Sequence, residues 1–139
     1  MNAQFFKGFR ILVVEDEAIL ALELAQSLRE AGAAVLGPVS SVQEALELLN
    51  ATVELDGAVL DVNLNGEMVY PVAETLAMRG VPFVFATAYG REEHPAPFGS
   101  VPHCQKPVDA PKVADALGSA IGRFLSPTEL RRRSMGLTD

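Results

Sequence analysis

Five polar side chains stand where chemistry could be done. Glu15 and Asp16 follow the apolar run Ile11-Leu12-Val13-Val14, Asp61 follows Ala58-Val59-Leu60, Thr87 follows Phe83-Val84-Phe85-Ala86, and Lys106 lies a few residues beyond Val101. If each run is a strand, all five lie at strand C-terminal ends, and in open α/β sheets ligands bind in the crevice beyond those ends. Three carboxylates gathered there repel and raise one another's pKa unless a cation lies among them. A hard divalent ion with oxygen ligands resolves this. Mg2+ fits best, because it takes one or two carboxylates, keeps waters and completes its shell with phosphate oxygens. A lysine ammonium and a threonine hydroxyl suit the remaining phosphate oxygens. The set therefore reads as a site that holds a phosphoryl group on a carboxylate, with Asp61 as nucleophile. Each residue alone has a plainer reading, as a helix N-terminal charge, a turn former or a solvated loop lysine. Their joint placement at successive strand ends carries the assignment.

The elements that must position these residues alternate two periodicities. Residues 11–14, 34–36, 58–60 and 83–85, with a weak fifth run near Val101, are continuously apolar without in/out alternation. Parallel strands read this way when helices cover both faces of their sheet. Helical spacing fills the intervals. Between Glu17 and Ala31, Leu20, Leu24 and Leu28 face a core, and Glu23, Gln26, Ser27 and Glu30 form a polar stripe. Ser41 with Glu44 makes a capping box ahead of Val42, Ala45, Leu46 and Leu49. Val69, Val72, Ala73 and Leu76 repeat the spacing, with Pro71 suited to a first turn. A last helix carries Val113, Leu117, Ala120, Ile121 and Phe124, with Asp109 as N-cap and Pro111 in its first turn. Alternating strands and helices imply right-handed βαβ crossovers and a parallel (βα)5 sheet. Pro95, Pro97, Pro102 and Pro107, with Gly90 and Gly99, make the fourth helix short, irregular or absent. Residues 1–125 read as the domain and 126–139 as a polar tail carrying Arg131-Arg132-Arg133.

Composition bounds the function. At 139 residues a single domain is expected, and an apolar fraction of 49% excludes a disordered chain. A net charge of −7 argues against nucleic acid as partner, because duplex affinity comes from Lys and Arg neutralising phosphates. The single cysteine, Cys104, excludes an internal disulfide and a multi-cysteine zinc site, and reads as a small buried apolar side chain. No segment has the roughly 18 apolar residues of a membrane span, and the N-terminus lacks a signal-peptide pattern. A soluble, cytoplasmic protein with no membrane partner is the expectation.

From about Phe9 to Phe124 the sequence resembles the receiver domain of two-component response regulators. The matching residues are Val13-Val14-Glu15-Asp16-Glu17, Leu60-Asp61-Val62-Asn63-Leu64, Thr87 after an apolar strand, and Lys106-Pro107. Pro82-Phe83-Val84-Phe85-Ala86-Thr87-Ala88-Tyr89-Gly90 is similar to the "FAT GUY" group of single-domain receivers, with Ala88 where glycine is usual. The resemblance implies a doubly wound, flavodoxin-like α/β fold with strand order 2-1-3-4-5. It implies Asp61 as phosphoacceptor, with Glu15, Asp16, Asp61 and the backbone carbonyl of Asn63 as Mg2+ ligands. Lys106 becomes the phosphoryl partner and Thr87 the switch. Receivers usually carry Tyr or Phe three residues before the lysine. This chain has His103 there, either a packing residue or a switch partner of Thr87. Asn63 and Tyr89 are expected to tune water access, and His94 to be solvated.

The implied function is that of a stand-alone phosphoacceptor, not an enzyme beyond its own phosphotransfer and slow dephosphorylation. Its donor would be a histidine kinase or a histidine phosphotransfer protein, its state monomer or weak dimer, and its setting alphaproteobacterial stress signalling. The alternative is a Mg2+-dependent phosphohydrolase of the haloacid dehalogenase type. That chemistry wants a second acid two residues after the nucleophile, where this chain has Asn63, and a cap insertion that this chain lacks.

Overall fold

The computed structural model describes residues 5–88 and 95–125. Tyr89, Gly90, His94, the tail 126–139 with its three arginines, and the Phe124 side chain lie outside the described residues.

Five parallel strands form one sheet: β1 (Arg10–Val14), β2 (Ala34–Val39), β3 (Gly57–Leu60), β4 (Phe83–Thr87) and β5 (His103–Gln105). Their order is β2-β1-β3-β4-β5, the doubly wound order expected from the resemblance. Helices α1 (Ala18–Glu30), α2 (Val42–Ala51), α3 (Tyr70–Met78) and α4 (Ala110–Phe124) cover the sheet.

The continuous apolar runs follow from having two cores. Successive strand residues point to opposite faces, so a strand buried on both sides has no polar position to offer. Ile11, Val13, Val59, Val84 and Ala86 pack with Leu20, Leu24 and Leu28 of α1 and Val113, Leu117 and Ile121 of α4. Leu12, Val14, Ala58, Leu60, Phe83 and Phe85 pack with Val42, Ala45 and Leu49 of α2 and Val72 and Leu76 of α3. Phe6 and Phe9, both fully buried, close one end of the first core in edge-to-face contact, with the Phe6 amide donating to the Ala31 carbonyl at 2.7 Å.

Several local expectations are refined. β2 is an edge strand whose residues are all exposed or half-buried, so its apolar run is not covered on both faces. Its edge position is what tolerates Pro38, which has no N–H to donate, and the register with β1 shifts between Leu12 and Val14. Gly37 has φ 89°, and a Cβ there would meet the Val39 nitrogen at 2.7 Å. β5 begins at His103, two residues past the run expected near Val101. Asp109 is the N-cap of α4, but its side chain makes no capping bond. The α2 capping box forms in shifted register: the Glu44 amide donates to Ser41 Oγ at 3.1 Å, while Glu44 Oε1 accepts from the Ser40 amide at 3.2 Å.

Among the described residues between β4 and β5 there is only a 3-10 turn, Ala96–Phe98, in keeping with the proline-rich sequence. Its Phe98 is buried and stacks on Tyr70 at 5.6 Å, with Phe83 and Phe85 edge-on. A short antiparallel ribbon, Asn63–Leu64 with Glu67–Met68, follows β3 and was not expected.

Candidate functional site

β1 and β3 end side by side, with Val14 in register with Leu60. The ladder runs one step further, as the Asp61 amide donates to the Val14 carbonyl at 2.8 Å and the Glu15 amide to the Val39 carbonyl at 2.9 Å. Glu15 and Asp61 are thereby fixed at the sheet's C-terminal edge, both buried. β4 brings Thr87 to the same edge, fully buried. The Lys106 amide donates to the Thr87 carbonyl at 2.7 Å, which ties the lysine to that strand end.

The side chains converge. Lys106 Nζ lies 3.0 Å from Asp61 Oδ2, 3.3 Å from Glu15 Oε2 and 2.9 Å from Glu17 Oε1. Carboxylate oxygens of Glu15, Asp16 and Asp61 lie within 4.8 Å of one another. Asp16, half-buried, accepts from the Asn65 amide at 3.0 Å, and Asp61 Oδ1 accepts from the Asn63 amide at 3.2 Å. Thus Glu15, Asp16, Asp61, Asn63, Thr87 and Lys106, all singled out in the sequence, meet at one edge.

His103 is half-buried on β5, in register with Phe85, on the sheet face that also carries Thr87. Cys104 is half-buried rather than buried, against the α1/α4 core, and burial raises its thiol pKa. A thiol so disposed is a packing group, not a nucleophile.

Burial governs the electrostatics. Glu15 is pushed up to about 8, first by desolvation and then by the neighbouring Asp61 carboxyl, with Lys106 opposing. Burial raises Asp61 too, against the pull of its bonds to Glu15 and Lys106. The two carboxyls therefore retain a proton between them above the usual carboxylate range. Lys106 is held above its ordinary value, because its bonds to Glu17 and Asp61 outweigh the desolvation that works to lower it.

The donor set fits a hard divalent cation. Its oxygens come from two adjacent strand ends, and Glu15 Oε1 is buried with no hydrogen-bond partner among the described residues. A dication among them would supply the charge that lets both buried carboxyls ionise.

Two contributors were missed in the sequence. Glu17 reads there as the start of α1, yet it bonds Lys106; the unused signal is the third acid in Glu15-Asp16-Glu17. The ribbon that presents the Asn65 amide to Asp16 was signalled by Asn65-Gly66, whose φ values of 53° and 95° suit a two-residue hairpin turn.

No protein-family model matches the chain. The chain is 30% identical over 125 residues to the transcriptional regulatory protein PdtaR of Mycobacterium tuberculosis, covering 87% of this chain and 60% of PdtaR. It thus spans 60% of the length of the curated relatives it matches. It is 38% identical to the solved structure of SdrG from Sphingomonas melonis Fr1, with TM-score 0.64, covering 81% of this chain and 95% of that one. A response regulator receiver protein from Burkholderia phymatum superposes with TM-score 0.70 at 27% identity, covering 86% and 98%. The response regulator PhyR from Brucella abortus, at 23% identity and TM-score 0.71, shares the fold over 85% of this chain and 50% of its own. With five parallel strands in the expected order and this likeness across nearly the whole of SdrG and of the Burkholderia protein, the chain belongs to the response regulator receiver family.

Proposed function

We propose that this receiver accepts a phosphoryl group on Asp61 from a phosphohistidine of a histidine kinase or histidine phosphotransfer protein. The observation that carries the reading is the Lys106 ammonium 3.0 Å from Asp61 Oδ2, at a strand end where two further carboxylates converge. A carboxylate oxygen of Asp61 attacks phosphorus in line. The O–P bond forms as the P–N bond to the donor imidazole breaks, and the imidazole leaves with the bonding pair. Lys106 donates to an equatorial phosphoryl oxygen, stabilising charge where it is spread in the transition state. Glu15, Asp16, Asp61 and the Asn63 carbonyl would hold Mg2+, which when bound supplies the positive charge that a cluster of carboxylates and a phosphoryl group requires.

The modified Asp61 gains about −1.5 to −2 charge. Thr87 moves its hydroxyl toward the phosphoryl oxygens, with His103 the neighbouring residue on its sheet face that can follow, and the surface around β4 and β5 switches. Among the described residues the segment between those strands holds only the 3-10 turn, and we take the state to be a monomer or weak dimer. Among the described residues no helix is long and apolar enough to cross a membrane, and cytoplasmic signalling without nucleic-acid contact is the setting we propose.

Acetyl phosphate with Mg2+ tests the reading. A covalent phosphoryl adduct, absent in Asp61→Ala, is expected. Continuous hydrolysis of acetyl phosphate without an adduct would support a phosphohydrolase instead, and no reaction with any phosphodonor would overturn the proposal.

A further inference from the structure

We propose that Glu17 is a positioning residue that holds the Lys106 ammonium back from an arriving phosphoryl group, so that it sets the rate at which Asp61 is modified. The inference rests on the reading of Asp61 as phosphoacceptor.

A lysine ammonium has three N–H donors and no acceptor. All three are engaged here, with Asp61 Oδ2 at 3.0 Å, Glu15 Oε2 at 3.3 Å and Glu17 Oε1 at 2.9 Å, the shortest of the three. A phosphoryl oxygen that takes a bond from Lys106 must displace one of them. The Glu15 side chain is 0% exposed and that of Asp61 6%, whereas that of Glu17 is 61% exposed. A buried partner that gives up its bond to Lys106 does so where water does not replace it, which is costly. Glu17 loses it in water, which takes over the bond. Glu17 is therefore the partner that yields, and its release precedes full engagement of Lys106 with the phosphoryl group.

Among the described residues, Lys106 is the side-chain partner of the Glu17 carboxylate. Glu17 is the N-cap of α1 but makes no side-chain capping bond, and its backbone amide is anchored separately on Glu15 Oε2 at 3.1 Å. Its carboxylate also adds negative charge at the mouth of a site that must admit an anionic donor.

Two substitutions separate reach from charge. Glu17→Gln removes the charge; Glu17→Asp keeps it on a side chain one methylene too short to hold Lys106. Both are expected to raise the rate of modification by acetyl phosphate at saturating Mg2+ about two- to fivefold, the range for losing one exposed ion pair. In the unmodified protein without added Mg2+, both should shift the Lys106 side-chain resonances in an NMR spectrum. A wild-type rate and unshifted Lys106 resonances in both variants would overturn the proposal. A raised rate in Glu17→Gln alone would also overturn it, because bulk charge would then suffice. Failure of the wild-type protein to form any adduct would instead remove the phosphoacceptor reading, and this inference with it.

Discussion

The Lys106 amide donates to the Thr87 carbonyl at 2.7 Å, one residue past the register pair of Thr87 with Gln105. That bond extends the β4–β5 ladder beyond the end of β5. It fixes the base of a long side chain whose ammonium must reach across to β3. The lysine is thereby placed by the sheet, even though it lies in a loop.

Lys106→Met tests the energetic role of that placement. The Lys106 side chain is only 15% exposed, and it is the cation that pairs two buried carboxylates. Its loss is expected to destabilise the protein by about 2 kcal/mol at pH 8, the scale of a buried charged hydrogen bond. The cost should be smaller at pH 5, where the carboxyl pair retains its proton. Urea denaturation at both pH values measures the difference, and an equal cost at the two would count against a charge-based role.

The Glu15 carboxyl gives stability a pH dependence with a definite sign. Its folded-state pKa is raised from 4.5 to about 8. Between those values the unfolded chain has released the proton and the folded chain retains it, so Glu15 lowers stability progressively as pH rises through that window. Glu15→Gln is expected to flatten this fall. Mg2+ competes with the same proton, so the rise in melting temperature on adding Mg2+ should be larger at pH 8 than at pH 5. Thermal unfolding of both proteins, with and without Mg2+, checks both signs.

Phe98→Ala probes the 3-10 turn Ala96–Phe98 that precedes β5. Phe98 is 5% exposed and packs on Tyr70, Phe83 and Phe85. Truncation leaves a cavity among three rings and is expected to cost about 3 kcal/mol in urea denaturation. A cost below about 1 kcal/mol, the scale of an unremarkable surface change, would show that the turn is not held by its aromatic anchor.

Gly66→Ala addresses the ribbon. Gly66 has φ 95°, and a Cβ there would meet nothing within 4 Å, so the penalty is purely one of backbone conformation. About 1 kcal/mol of stability should be lost. Because the ribbon carries the Asn65 amide that Asp16 accepts from at 3.0 Å, Mg2+ affinity should fall as well, read by calorimetric titration. Unchanged affinity alongside lost stability would detach the ribbon from the proposed Mg2+ site.

Much of this protein is legible in one dimension because its signals are local or periodic. Leu20, Leu24 and Leu28 declare the buried stripe of α1, and the apolar runs of β1, β3 and β4 declare strands buried on both faces. Glu15, Asp16, Asp61, Thr87 and Lys106 are legible together because strand-end position is a local property, and parallel topology sends all such ends to one edge. β2 misleads for a matching reason. Its residues are as apolar as those of a central strand, and only the strand order makes it an edge.

The amino-acid sequence by itself determines the alternation of elements, the doubly wound order through its resemblance, and which residues meet at the C-terminal edge. Tertiary structure alone decides how they meet: that Glu17 takes the third N–H of Lys106, that Asn65 reaches Asp16, and that Glu15 and Asp61 are buried deeply enough to hold a proton between them. Periodicity and strand ends are set by the backbone over a few residues. Distances between side chains 45 to 91 residues apart, and the desolvation that shifts their pKa values, exist only once the sheet has brought them together.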